Sequence, residues 1–101
     1  MSTDRELLEL AARAAGYQIE WVRNSGCHYR CEEEIGREAW CPLDDDGDAL
    51  RLAVRLDINL YNPGSHPAAL HRTEDASTFY ESGCARRSIV LAAAAIGRNL
   101  P

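Results

Sequence analysis

Trp40-Cys41-Pro42-Leu43-Asp44-Asp45-Asp46-Gly47-Asp48-Ala49-Leu50-Arg51-Leu52-Ala53-Val54 is the stretch on which the reading of this chain turns. Proline removes a ladder donor, so Pro42 ends any strand running through residues 38–41. Four aspartates then fall where a helix begins. There, carboxylates meet unsatisfied N–H groups and the positive end of the dipole, each worth roughly 0.3–1 kcal/mol when exposed. Ala49, Leu52, Ala53 and Leu56 recur at helical spacing as one buried stripe, with Leu50 and Val54 flanking it and Asp48, Arg51 and Arg55 opposite. The stretch reads as strand, corner, helix.

Working outward toward the N-terminus, residues 4–15 read as a first helix. Leu7, Leu10, Ala11 and Ala14 carry its stripe, widened by Leu8, Ala12 and Ala15. Thr3 with Glu6 has capping-box spacing, and Gly16 suits the residue just past the end. Residues 17–23 alternate as a strand with Tyr17, Ile19 and Trp21 on one side. Asn24-Ser25-Gly26 is turn chemistry. Cys27, Tyr29 and Cys31 then alternate as a hairpin partner, and residues 38–41 extend the sheet.

Toward the C-terminus, residues 57–61 read as a short strand with Ile58 and Leu60 facing one way. A loop follows, then one or two strands in residues 68–81, clearest at 77–80. Ser82 or Gly83 opens a last helix reaching about Asn99. Its apolar face is Ala85, Ile89, Ala92, Ala93 and Ile96, with Gly97 near its end. Leu8-x-Leu10-Ala11 and Leu50-x-Leu52-Ala53 form a faint internal echo, each before a strand. The order αββαβ(β)α predicts an α+β fold, a small single-domain sandwich over residues 1–101. One antiparallel sheet of about four strands would be covered by three helices.

The chain has 101 residues, 46% of them hydrophobic, enough for one modest core. No apolar run approaches the ~20 residues of a membrane span. The charged start is unlike a signal peptide, so the expected location is the cytoplasm, with Cys27, Cys31, Cys41 and Cys84 as reduced thiols. Cys27, Cys31 and Cys41 with His28 invite a zinc reading. Buried thiols on a strand face account better for that spacing, so no metal or cofactor is expected. All eleven basic residues are arginine. Their scatter along the chain fits codon usage better than a dedicated anion site.

Residues 32–48 hold eight of the sixteen carboxylates (Glu32, Glu33, Glu34, Glu38, Asp44, Asp45, Asp46, Asp48) against the single Arg37, a net −7 in a chain of net −5. The Asp-rich run is not an EF-hand loop, because Pro42 and Ala53 stand where the first and closing ligands would be. Capping accounts for it first; a negative surface joined by Glu32, Glu33 and Glu34 is the sharper reading. Arg86-Arg87 opens the last helix at the wrong end for cations, which points to an acidic neighbour or a partner. His66 and His71 form no triad pattern, and no catalytic residues are assigned. A pI near 5.1 with no basic-aromatic platform argues against direct nucleic-acid binding.

Residues 40–54 and the run Ala85-Arg86-Arg87-Ser88-Ile89-Val90-Leu91-Ala92-Ala93-Ala94 resemble a group of short phage and prophage proteins, the phage alpha/beta/alpha sandwich domain family. The resemblance implies a phage product working in a bacterial host cytoplasm, with no activity to carry onto residues. The expected function is therefore a non-enzymatic protein-binding module, an anti-CRISPR-like inhibitor of a host defence complex. It would engage a host protein or ribonucleoprotein with a basic surface through Glu32, Glu33, Glu34, Asp44, Asp45, Asp46 and Asp48. The alternative is a nucleic-acid-associated accessory protein using Arg86, Arg87 and Arg98. An alanine-rich helix face also allows a homodimer.

Overall fold

Helix α1 spans Asp4–Ala15, the expected residues. The Thr3 hydroxyl accepts the Glu6 N–H at 3.1 Å and caps its start. Gly16, at φ 76°, closes its end in the left-handed region, and the Tyr17 N–H bonds back to the Ala12 carbonyl at 2.9 Å. The computed structural model describes residues 3–22, 27–32, 36–61, 68–72, 77–82 and 84–100.

From α1 the chain enters a three-stranded antiparallel meander: β1 (Ile19–Val22), β2 (Cys27–Glu32) and β3 (Gly36–Trp40). His28 faces Trp21 on one side and Trp40 on the other. Helix α2 (Asp46–Arg55) then leads into a second meander: β4 (Asn59–Tyr61), β5 (Ala68–Arg72) and β6 (Ser77–Glu81). Helix α3 (Ala85–Arg98) closes the chain. Among the described residues the class is α+β with three helices, as expected. There the single four-stranded sheet is corrected to two three-stranded sheets, and the order to αβββαβββα. Residues 36–40 form a full strand, and both candidate strands within 68–81 exist.

The elements themselves repeat, one residue out of step with the faint echo that sets Leu8-x-Leu10-Ala11 against Leu50-x-Leu52-Ala53. Strands β2 and β5 begin at Cys27 and Ala68, and β3 and β6 at Gly36 and Ser77, a spacing of 41 residues each time. Both helices that feed the meanders also end alike. The Ile58 N–H bonds the Ala53 carbonyl at 2.8 Å and Asp57 takes φ 54°, which repeats Tyr17, Ala12 and Gly16 one period later. This terminator corrects the expected strand at 57–61. Asp57 turns the chain, Ile58 is buried at 6% exposure, and Leu60, expected on the same side, is 46% exposed.

Helix α3 is the hub, packing on α1, α2, β5 and β6. Enclosure on several sides explains why Ile89, Val90, Ala92, Ala93 and Ala94 are all buried, where one face was expected. Ala85 and Ile96, placed on that face, are half-buried. Helices α1 and α3 run parallel. Arg87 meets Asp4 at 2.9 Å near their starts, and Arg13 donates to the Leu100 carbonyl at 3.3 Å near their ends. Between these ties the helices approach so closely that a Cβ at Gly97 would stand 1.9 Å from the Leu10 carbonyl oxygen. Gly97 is required by that contact rather than by the helix end.

Gly97→Ala therefore forces two backbones apart and should destabilise the fold by about 1–3 kcal/mol in denaturant unfolding. Gly47→Ala is the contrast. Its Cβ would meet side-chain atoms rather than backbone, Asp45 Oδ2 at 3.2 Å and Arg51 Nη1 at 3.3 Å, so the change should stay within about 1 kcal/mol of the parent.

Candidate protein-interaction face

The corner between β3 and α2 is built by the aspartates. Asp45 is the N-cap, and its carboxylate accepts the Asp48 N–H at 2.8 Å. Asp48 reaches back to accept the Cys41 N–H at 3.0 Å and pairs with Arg51 at 2.6 Å. The Cys41 carbonyl accepts the N–H groups of Asp44 and Asp45 at 3.0 and 2.8 Å. Asp46 pairs with Arg86 at 2.6 Å, and Arg86 also donates to the Leu43 carbonyl at 3.0 Å. The hydrogen bond to Asp48 raises the Arg51 pKa, and that to Asp46 raises that of Arg86. Capping thus occupies Asp45 and Asp48. Asp44 is exposed, and the Asp46 side chain remains 86% exposed despite its ion pair.

The other candidate residues fall differently. Glu33 and Glu34 lie outside the described residues, as does the side chain of Glu32. So do His66 and the side chain of His71. Arg86 and Arg87 do find acidic neighbours, Asp46 and Asp4, which resolves the dipole conflict within the fold. Arg98 is exposed at the last turn of α3.

Beside the aspartates lies a surface the sequence reading left as flanking residues. On α2, Leu50 is 60% exposed and Val54 73%, with Leu60 of β4 alongside. Leu50 borders two shallow hollows. One, of about 320 Å³, is lined by Asp46, Ala49, Leu60, Ala85, Arg86 and Ile89 as well. The other, of about 410 Å³, is lined by Tyr17, Arg51, Val54 and Arg55. Leu50 and Val54 form a ridge between them. Arg55 is held down by a bond to the Ala15 carbonyl and lies over the Tyr17 ring at 5.1 Å, so the basic end of α2 is also ordered. The signal available in the sequence was excess: six apolar residues in 49–56 exceed what one buried stripe requires.

The cysteines depart from expectation. Cys41 is disulfide-bonded and Cys84 is free, which corrects the reading of four reduced thiols and removes one sulfur from the zinc reading. The side chains of Cys27 and Cys31 lie outside the described residues. Cys84 is the N-cap of α3 and makes no side-chain cap bond. The nearby backbone N–H of Arg87, then that of Arg86 and the Arg86 charge, still hold its thiol below the ordinary range against burial. Ser82 does the capping, accepting the Cys84 N–H at 3.1 Å and contacting buried Ser88 at 2.9 Å. Among the described residues no His, Cys, Asp or Glu cluster could hold a metal ion, and no helix is long and apolar enough to cross a membrane.

Among the described residues, His28 is the one buried charge-capable group in the core. It is 1% exposed, neither ring nitrogen has a hydrogen-bond partner among those residues, and Trp21 packs edge-on at 4.9 Å. Glu9 of α1 stands 3.8 Å from Nε2, beyond hydrogen-bond range, and Arg5 of the same helix opposes protonation. Burial dominates and lowers its pKa below 6.5. The unfolded chain then takes up a proton that the folded chain refuses. Stability should fall as pH drops below 6.5, until the folded value is reached. Denaturant unfolding across that range should show the decline, and His28→Phe should flatten it.

No family model matches the chain, and no similar curated protein or solved structure was found.

Proposed function

We propose that this chain is a non-enzymatic protein-binding module acting through the start and outward side of α2, on a partner whose surface is basic and partly apolar. The observation that carries the reading is the ridge: Leu50 and Val54 stand 60% and 73% exposed beside exposed Asp44 and Asp46. Apolar side chains presented on a rigid helix and rimmed by charge have the composition of an interface centre with its polar edge. The carboxylates favour approach of a basic surface, and the ridge supplies area to bury. The resemblance to phage proteins supports a host defence complex as the first partner class to screen, in the manner of an anti-CRISPR inhibitor. Arg86 and Arg87 are engaged in ion pairs with Asp46 and Asp4, which favours this reading over an accessory protein using Arg86, Arg87 and Arg98.

Reversing Asp44, Asp45 and Asp46 together would confound binding with stability, since Asp45 caps α2 and loss of such a cap costs about 1 kcal/mol. Cleaner variants are Asp44→Lys and the pair Leu50→Asp with Val54→Asp, all at exposed positions. Tagged protein should capture a stoichiometric partner from nuclease-treated bacterial lysate. Either variant should reduce capture tenfold or more while melting stays unchanged. Undiminished capture by both folded variants, or capture that nuclease abolishes, overturns the reading.

A further inference from the structure

Cys41 has a disulfide partner, and Cys84, being free, is not it. The choice lies between Cys27 and Cys31, both on β2. Register decides. His28 stands opposite Trp40 at the end of the ladder, and the same register carried one residue further sets backbone position 27 against position 41. Directly opposed residues are about 4.5–5.5 Å apart at Cα, inside the range a disulfide spans. Cys31 stands opposite Arg37 instead. That is four residues along β3 from Cys41, roughly 13 Å at about 3.3 Å per residue, and out of reach.

We propose that a Cys27–Cys41 disulfide staples the open end of the β2–β3 hairpin and serves as a redox-sensitive lock on the corner from which α2 starts. Cys41 is where that lock has most leverage. Its N–H is held by Asp48 and its carbonyl holds Asp44 and Asp45, so one residue joins the sheet, the disulfide and the helix cap. Cys41 is half-buried and borders the small cleft beside Trp21 and Trp40, which leaves it open to a small thiol. Closure is thiol–disulfide exchange with a low-molecular-weight disulfide. One cysteine thiolate attacks a sulfur of the oxidant and expels a thiol; the other displaces the second thiol from the mixed disulfide. Two cysteine thiols are oxidised and one oxidant disulfide is reduced to two thiols. A dithiol reductant runs the same steps backward.

Trypsin separates the candidates, because Arg23, Arg30, Arg37 and Arg51 place Cys27, Cys31 and Cys41 in peptides 24–30, 31–37 and 38–51. Protein oxidised with glutathione disulfide, blocked with iodoacetamide and digested without reductant should yield 24–30 joined to 38–51. Peptide 31–37 joined to 38–51, or all three cysteines alkylated, overturns the assignment. Reduction should lower the melting temperature by on the order of 10–20 °C for a closed loop of about 15 residues. Cys27→Ser should melt like the reduced chain and ignore reductant, while Cys31→Ser keeps the full shift. A linked peptide pair with no shift on reduction would reject the lock.

Discussion

Everything in this fold hangs on the close approach of α1 and α3. The two helices run parallel, Gly97 lies against the Leu10 backbone, and Ala11, Ala12 and Ala15 of one and Ala92, Ala93 and Gly97 of the other are all buried. Small side chains lose little rotamer freedom on burial and let backbones come near. The density of contact replaces the area that larger residues would bury. The consequence reaches beyond the pair. The alanine-rich face of α3 is consumed inside the chain, so a second copy would have to use another surface.

That packing also sets the electrostatics. With α1 and α3 side by side, the start of α3 lies near Asp4, and the start of α2 places Asp46 against Arg86. Three helix beginnings thus meet, each with a positive dipole end. Two carry carboxylates in the first turn and the third carries arginines. Arginine there is locally unfavourable but becomes the counter-ion of its neighbours. The third helix has no side-chain cap from its N-cap residue, and the Ser82 hydroxyl takes up the Cys84 N–H instead, while the buried Ser88 hydroxyl donates back to the Cys84 carbonyl.

What the sequence disclosed follows the range of the interaction. Helix α1 was legible to the residue, because Thr3, Glu6, the apolar stripe and Gly16 act within a few positions of one another. The first hairpin and the start of α2 were legible for the same reason. The division into two meanders was not, since strand pairing joins residues far apart and short strands carry little periodicity. Leu60 was misplaced because alternation was counted from Ile58, which precedes β4 and belongs to the helix terminator, where Asp57 takes left-handed backbone geometry without a glycine to announce it. Gly97 stood out only as a glycine near the end of the last helix, because sequence does not reveal which helix crosses it. In the interaction face, the aspartates were visible as charge. Leu50 and Val54 were invisible as exposed groups, because only the packing of α3 decides which side of α2 is covered.

The aspartate run shows how one stretch holds two roles without conflict. The Asp45 carboxylate caps the helix start by accepting the Asp48 N–H, and that of Asp48 ties back to the Cys41 N–H, so both are engaged within the chain. Asp44 and Asp46 flank them and face water. Had the run been only a cap, two acidic residues would suffice. Had it been only a negative surface, it would not need to begin a helix. Joined to Leu50 and Val54 one and two turns later, the surplus carboxylates border an apolar ridge on a rigid element. The ridge is exposed because Ala49, Leu52 and Ala53 already satisfy the core. The capping chemistry fixes the geometry of α2, and the residues it leaves over define what that helix can touch.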